Sequence, residues 1–231
     1  MSKRFYISRL KNYIKNKGFK STSIRLIEKS KHMLFKRRFN IYHANIANFS
    51  SINSNLPASM VIVRKANEDE IESHILESLC ELRQEKIVMQ QFQERFPKGA
   101  LLWILTINGD LAGFMWSIRR SPIEHFFFPL MDNDVYFFDI MILLEQRNKN
   151  LFPLFMHSVL SKLKHEGISN GYYTTYEWNK QMIKSTTKTA FQKIGMAQKF
   201  HMLGKDVVLW SEMTTRNKPD YRFSDRDQSY E

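Results

Sequence analysis

A single cysteine, Cys80, in 231 residues leaves no partner for an internal disulfide. Nothing in the chain therefore asks for an oxidising compartment, and a reducing, cytoplasmic setting is expected. Long apolar runs are missing as well. The longest, residues 137–144, is interrupted by Asp139 and falls far short of the roughly 18 to 20 residues that a membrane-spanning helix needs. The N-terminus has no apolar centre of the kind a signal peptide carries. The histidines at 32, 43, 74, 125, 157, 165 and 201 show neither His-Glu-x-x-His nor paired Cys/His spacing, so no metal site is expected. Cys80 itself reads as a small packing residue.

What is present is a chain able to build one good core, with 43% hydrophobic and 13% aromatic residues. Its charge is lopsided. Residues 1–40 hold thirteen Lys and Arg against Glu28 alone, an excess equal to the entire formal net charge of +12, so the rest of the chain is balanced. Basicity belongs to a segment rather than to a domain.

Hydrophobic periodicity divides the chain into a basic helical arm (1–47), a polar linker (48–59), a mixed α/β body (60–212) and a polar, frayed tail (213–231). In the arm, Ile7, Leu10 and Ile14 line one helical face, and Ile24, Ile27 and Leu34 line a second after a Ser/Thr cap. The body predicts a strand at 60–64, helices over 67–80 and 81–95, and strands at 101–107 and 111–118. The last two are joined through Asn108-Gly109, the strongest short hairpin signal. A buried strand over 134–144 follows, then a helix from Leu151 with Pro153 in its first turn and Gly167 as a left-handed stop. A strand at 171–178, a helix over about 181–194 and a strand pair at 196–203 and 206–210 complete the body.

The segment between buried strand and helix, Arg147-Asn148-Lys149-Asn150-Leu151-Phe152, carries the clearest chemical signal. A strand that feeds a helix through a tight loop leaves the first helical N–H groups unpaired and facing outward, where they attract anions.

The order of these elements resembles that of the GCN5-related N-acetyltransferase (GNAT) superfamily over roughly residues 60–212. The family's strand, Arg-Gly-x-Gly-x-Gly/Ala loop and helix are echoed by Met141 to Phe152, its hairpin by Asn108 to Gly113, and its Lys-x-Gly-Phe by Lys193 to Met196. The resemblance implies a mixed, mostly antiparallel sheet flanked by helices, in an α/β (α+β) class. It also implies acyl transfer from acetyl-CoA or another acyl-CoA to an amine. On that pattern Met141, Ile142, Arg147, Asn148, Lys149, Asn150, Leu151 and Phe152 face the cofactor, and Asn179 or Lys184 takes the place of the family's cofactor-facing Asn. Asn148, Asn150 and Phe152 stand where the family has small residues. Asn tolerates positive φ, whereas Phe152 either crowds a pyrophosphate or packs into the core. The family's late tyrosine is Phe191, which has no phenol to offer.

Amine attack needs a group to remove a proton. Asp139 is the first candidate, since a carboxylate within an apolar strand is costly unless paired or functional, and an Arg-bonded structural carboxylate is the open alternative. Glu177 and Asp134, at strand ends, and His125, in the loop 119–133, follow. The basic arm suits contact with an anionic membrane surface, on the cytoplasmic side, or with a protein partner. Specific nucleic-acid recognition is not supported, for want of a base-reading fold or interleaved aromatics. By resemblance alone, a small amine or amino sugar is the expected acceptor.

Overall fold

The computed structural model describes residues 37–50, 57–119, 130–202, 205–213 and 219–223. The paired helices expected over residues 7–34, and His125, lie outside them. Nine strands form one sheet among the described residues, in the order β2-β3-β4-β5-β6-β1-β7-β8-β9. They are β1 (Arg37–Asn45), β2 (Met60–Lys65), β3 (Leu101–Ile107), β4 (Asp110–Arg119), β5 (Asp134–Ile142), β6 (Asn170–Tyr176), β7 (Gln192–Met202), β8 (Lys205–Met213) and β9 (Pro219–Phe223). The helices are α1 (Ser73–Arg83), α2 (Glu85–Arg95), α3 (Leu151–His165) and α4 (Lys180–Thr186). Only β5 and β6 pair in parallel; the other ladders described are antiparallel.

The sheet separates two cores. On one face α3 buries Phe155, Met156, Val159, Leu160 and Leu163 against Tyr42, Trp103, Phe137 and Tyr173. On the other, α1 and α2 bury Ile75, Leu79, Val88 and Phe92 against Phe114, Trp116 and Tyr136. Period-two alternation along the strands sends neighbouring residues to opposite cores, as with Phe137 and Tyr136.

Local chemistry explains most element ends. Asn108 and Gly109 have φ of 55° and 89°, the left-handed pair required by a two-residue hairpin. Gly167, at φ 78°, stops α3 and lets the Ile168 N–H return to the Leu163 carbonyl. Asn179 caps α4 by accepting from the Met182 N–H at 3.2 Å.

Four expectations require correction. Residues 37–45 are not part of a helical arm: β1 lies between β6 and β7, hydrogen-bonded to both, and its Ile41 and Ala44 are fully buried. The segment taken as a linker begins on the core, where Phe49 is buried. The helix predicted to run to residue 194 ends at Thr186, where the hydroxyls of Thr186, Thr187 and Thr189 donate to nearby carbonyls and compete with helix continuation. Residues 192–194 instead begin β7. The tail, expected to be frayed from 213, contains β9, which pairs with β8.

Candidate functional site

The site begins where the central strands part. The parallel ladder between β5 and β6 runs from Asp134↔Asn170 to Phe137↔Tyr173 and stops. Beyond it, β6 keeps pairing with β1 as far as Tyr176, and β5 keeps pairing with β4 as far as Ile142. A wedge therefore opens between β5 and β6.

A bulge in β5 forms one wall. The β4–β5 register shifts between Phe114 and Trp116, and Asp139 sits at φ 52°. Phe138 and Met141 join the α1/α2 core while Ile140 and Ile142 turn to the α3 core. The extra residue thus places the Asp139 side chain on the same face as Phe138, as an inserted residue in a ladder does. Gly113 permits this close approach. A Cβ there would lie 2.8 Å from the Met141 carbonyl oxygen and 2.8 Å from Ile142 Cδ1.

The other end of the wedge is the hinge. After Ile142 the chain makes a short 3-10 turn at Leu144–Gln146 and enters α3. Asn148 and Asn150 adopt φ of 67° and 55°, so asparagine supplies the left-handed geometry that glycine would otherwise provide. Among the described residues, the N–H groups of Asn148, Lys149, Asn150, Leu151 and Phe152 make no hydrogen bond, and no side chain caps α3. Phe152 does not fill this cradle, for its ring is buried in the α3 core beside Leu151. Positive charge surrounds the loop. Arg147 Nε donates to the Ile142 carbonyl at 3.1 Å, Lys149 Nζ to Gln146 Oε1 at 2.9 Å, and Lys188 Nζ to Asn150 Oδ1 at 2.6 Å. Lys188 escaped the sequence reading because the segment carrying it was assigned to a long helix rather than to a turn beside the hinge.

The candidate proton acceptors fare differently. Asp139 accepts from Arg83 Nη2 at 2.5 Å and Nη1 at 2.6 Å, and from Arg95 Nη1 at 2.8 Å. Burial pushes its carboxyl up, but the Arg83 hydrogen bonds and the charges of Arg83 and Arg95 outweigh this and hold it below the usual carboxylate range. Asp139 is thus bonded to two guanidiniums, as in the Arg-bonded alternative that the sequence left open. Asp134 is also not at the wedge. It is buried at the opposite end of β5, accepting from the Met131 N–H and the Asn170 amide. Glu177 follows β6 at the open end, its N–H donating to the Arg38 carbonyl. Asn179 is occupied as the α4 cap, and Lys184 is exposed on α4.

Aromatic groups line the α1/α2 side of the wedge. The Tyr136 and Thr174 hydroxyls lie 3.1 Å apart across β5 and β6. Burial and the Asp134 charge push the Tyr172 phenol up to about 12. On the α3 side, Phe191 is buried edge-on to Tyr173 and Phe137. Burial also pushes the Tyr173 phenol up, and its hydroxyl is bonded to Thr186.

A mostly antiparallel sheet with one parallel pair that splays at a bulge, feeding a helix through an amide-rich loop, settles the architecture. It agrees with the mixed, mostly antiparallel sheet that the sequence resemblance implied. No family model and no curated protein matches the chain. Several solved structures similar to it are GNAT proteins. A tandem GNAT protein from the clavulanic acid biosynthesis pathway is 16% identical, with a TM-score of 0.49 over 69% of this chain and 51% of that one. A GCN5-related N-acetyltransferase from Sphaerobacter thermophilus is 12% identical, with a TM-score of 0.48 over 76% and 54%. A conserved protein of unknown function from Staphylococcus epidermidis is 6% identical, with a TM-score of 0.47 over 74% and 64%. The chain thus spans about half to two thirds of the length of these structures. Among the described residues no helix is long and apolar enough to cross a membrane, and no cluster could hold a metal.

Proposed function

We propose that this GNAT-like chain transfers an acetyl group from acetyl-CoA to an amine by direct attack in a ternary complex. The observation that carries the reading is the wedge beyond Phe137↔Tyr173, which leads to a loop with unused amide hydrogens. Acetyl-CoA would supply the activated thioester. The free N–H groups of residues 148–152 would hold its pyrophosphate, with Arg147, Lys149 and Lys188 adding charge. The β5 backbone around Met141 and Ile142 would pair with the pantetheine arm like an added strand. Each charge or dipole contact at such an exposed helix start is worth about 0.3 to 1 kcal/mol, so affinity would come from several of them plus burial of the arm.

The acceptor must lose a proton to become a neutral amine. Its nitrogen then forms the C–N bond, a backbone N–H at the β5 bulge stabilises the oxyanion, the C–S bond breaks, and the nitrogen's surplus proton goes to the leaving thiolate. Glu177 stands at the open end of the wedge and is our candidate for the first proton transfer, through water.

A second reading is a catalytically degenerate binding module tethered through its basic arm to an anionic membrane surface or partner, favoured by the commitment of Asp139 to its guanidiniums. Calorimetry with acetyl-CoA at low salt tests both. Failure to bind at millimolar cofactor eliminates the transferase, and binding without turnover over an amine panel leaves the module. The basic charge of residues 1–36 supports peripheral contact, on the cytoplasmic side, with an anionic membrane or a protein partner. Removal of those residues should abolish sedimentation with anionic vesicles and spare acetyl-CoA affinity. An amino-sugar acceptor remains a proposal from the sequence resemblance.

A further inference from the structure

The cradle and the Arg83–Asp139–Arg95 cluster lie on opposite faces of the sheet, joined by the wedge. α3 carries the cradle and packs against Phe137 and Tyr173, whereas the guanidiniums come from the last turns of α1 and α2 and lie over rings of the opposite core. Arg83 sits 4.7 Å above Phe114, and Arg95 sits 4.9 Å from Trp116 and 5.2 Å from Phe138. A cosubstrate held from the α3 side leaves the α1/α2 side for the acceptor.

The charge in that region does not balance. Two guanidiniums share one carboxylate, and both arginine side chains are 14% exposed. Arg83 spends Nη1 on Asp139 and Gln91 and Nη2 on Asp139. Arg95 spends only Nη1; among the described residues its Nε and Nη2 donate to nothing. Guanidinium is built for paired hydrogen bonds to a planar acid group. An unpaired positive charge beside an ammonium repels it unless the incoming molecule brings a negative group of its own.

We infer that Arg95 receives the acid group of the acceptor, which is therefore an amine carrying a carboxylate, as in a free amino acid or an amino-sugar acid. The inference rests on the transferase reading above. The same surplus charge lowers the bound amine's tendency to hold a proton, which helps generate the attacking lone pair.

Initial rates of acetyl transfer, and calorimetric binding in parallel, would be compared for free amino acids and their carboxamides. Loss of a charge-assisted hydrogen bond corresponds to roughly ten- to a hundredfold, so the acids should lead their amides by that factor in kcat/KM. Arg95→Gln should erase the lead while leaving acetyl-CoA affinity unchanged. Arg95→Lys, which keeps the charge against Asp139 and guards against a folding defect, should retain part of it. Equal use of acids and amides, or a lead that survives in folded Arg95→Gln, overturns the inference and leaves the transferase intact. An Arg95-dependent preference for acids in binding, without acetyl-CoA binding, keeps the acid site and removes the transferase.

Discussion

Arg83 and Asp139 meet fork to fork, Nη2 to Oδ1 at 2.5 Å and Nη1 to Oδ2 at 2.6 Å, and each stands beside or within strained backbone. Gln84, next to Arg83, has φ 71° and ψ 130°. Asp139 has φ 52°. Positive φ at such residues costs of order 1–3 kcal/mol each and persists only where the surroundings over-determine it. The ion pair ties the α1–α2 break to the β5 bulge.

Asp139→Asn should lower unfolding free energy by about 2 to 4 kcal/mol, since it leaves two guanidiniums without their anion. The folded-state pKa of Asp139 lies below its unfolded value. Its contribution is therefore fully present above the unfolded value near 3.9 and is lost as pH falls through the lower folded value. Urea unfolding of both proteins should show a gap that persists from pH 7 to 5 and closes only below about pH 4. A gap unchanged at pH 3 would contradict this.

Gln84→Gly should be stabilising. Glycine reaches positive φ without steric cost, and relief of strain should exceed its added unfolded-state entropy by about 1 kcal/mol. A fall in the urea midpoint would show that the Gln84 conformation is not strained.

Phe152→Ala should cost about 3 to 5 kcal/mol, as for other buried rings, while acetyl-CoA affinity of the folded protein stays within about threefold. A large gain in affinity would mean that the ring obstructs the loop.

Gly113→Ala should act at the bulge. The new Cβ meets backbone at 2.8 Å, so β4 and β5 must separate, at about 1–3 kcal/mol. Acetyl-CoA affinity should fall with it, read by calorimetry below the unfolding temperature. Gly113 is not among the glycines of positive φ, so this cost comes from the contact and not from backbone strain.

Lys188→Ala should weaken acetyl-CoA binding about two- to fivefold at low salt, as expected for one exposed contact, with the loss shrinking as salt is raised. Equal affinities at low salt would place the pyrophosphate elsewhere.

Much of the site was legible because local rules dominate there. Asn108-Gly109 specifies its turn, Gly167 its helix stop, and Asn148 and Asn150 their left-handed backbone, each through the conformational freedom of single residues. Asp139 was legible as an anomaly, with bonding to arginine left open, but which arginines it meets was not. Its partners are 56 and 44 residues away on two helices, and no spacing rule links them. Lys188 was hidden because threonine hydroxyls end α4 early, a competition that helical periodicity does not register.

β1 marks the boundary most sharply. Its sequence, RRFNIYHAN, continues the basic pattern before it and carries no strong alternation, yet it becomes a central strand because the exposed edges of β6 and β7 offer it hydrogen bonds on both sides. The chain alone determined the order of elements from residue 60 to 176, the hairpin, the hinge and the uneven charge, all of which are local or additive properties. The tertiary structure decided where β5 and β6 part, which side of the sheet Asp139 faces and which cation is left unsatisfied. Those depend on strands and helices distant in sequence competing for the same hydrogen-bond donors and acceptors.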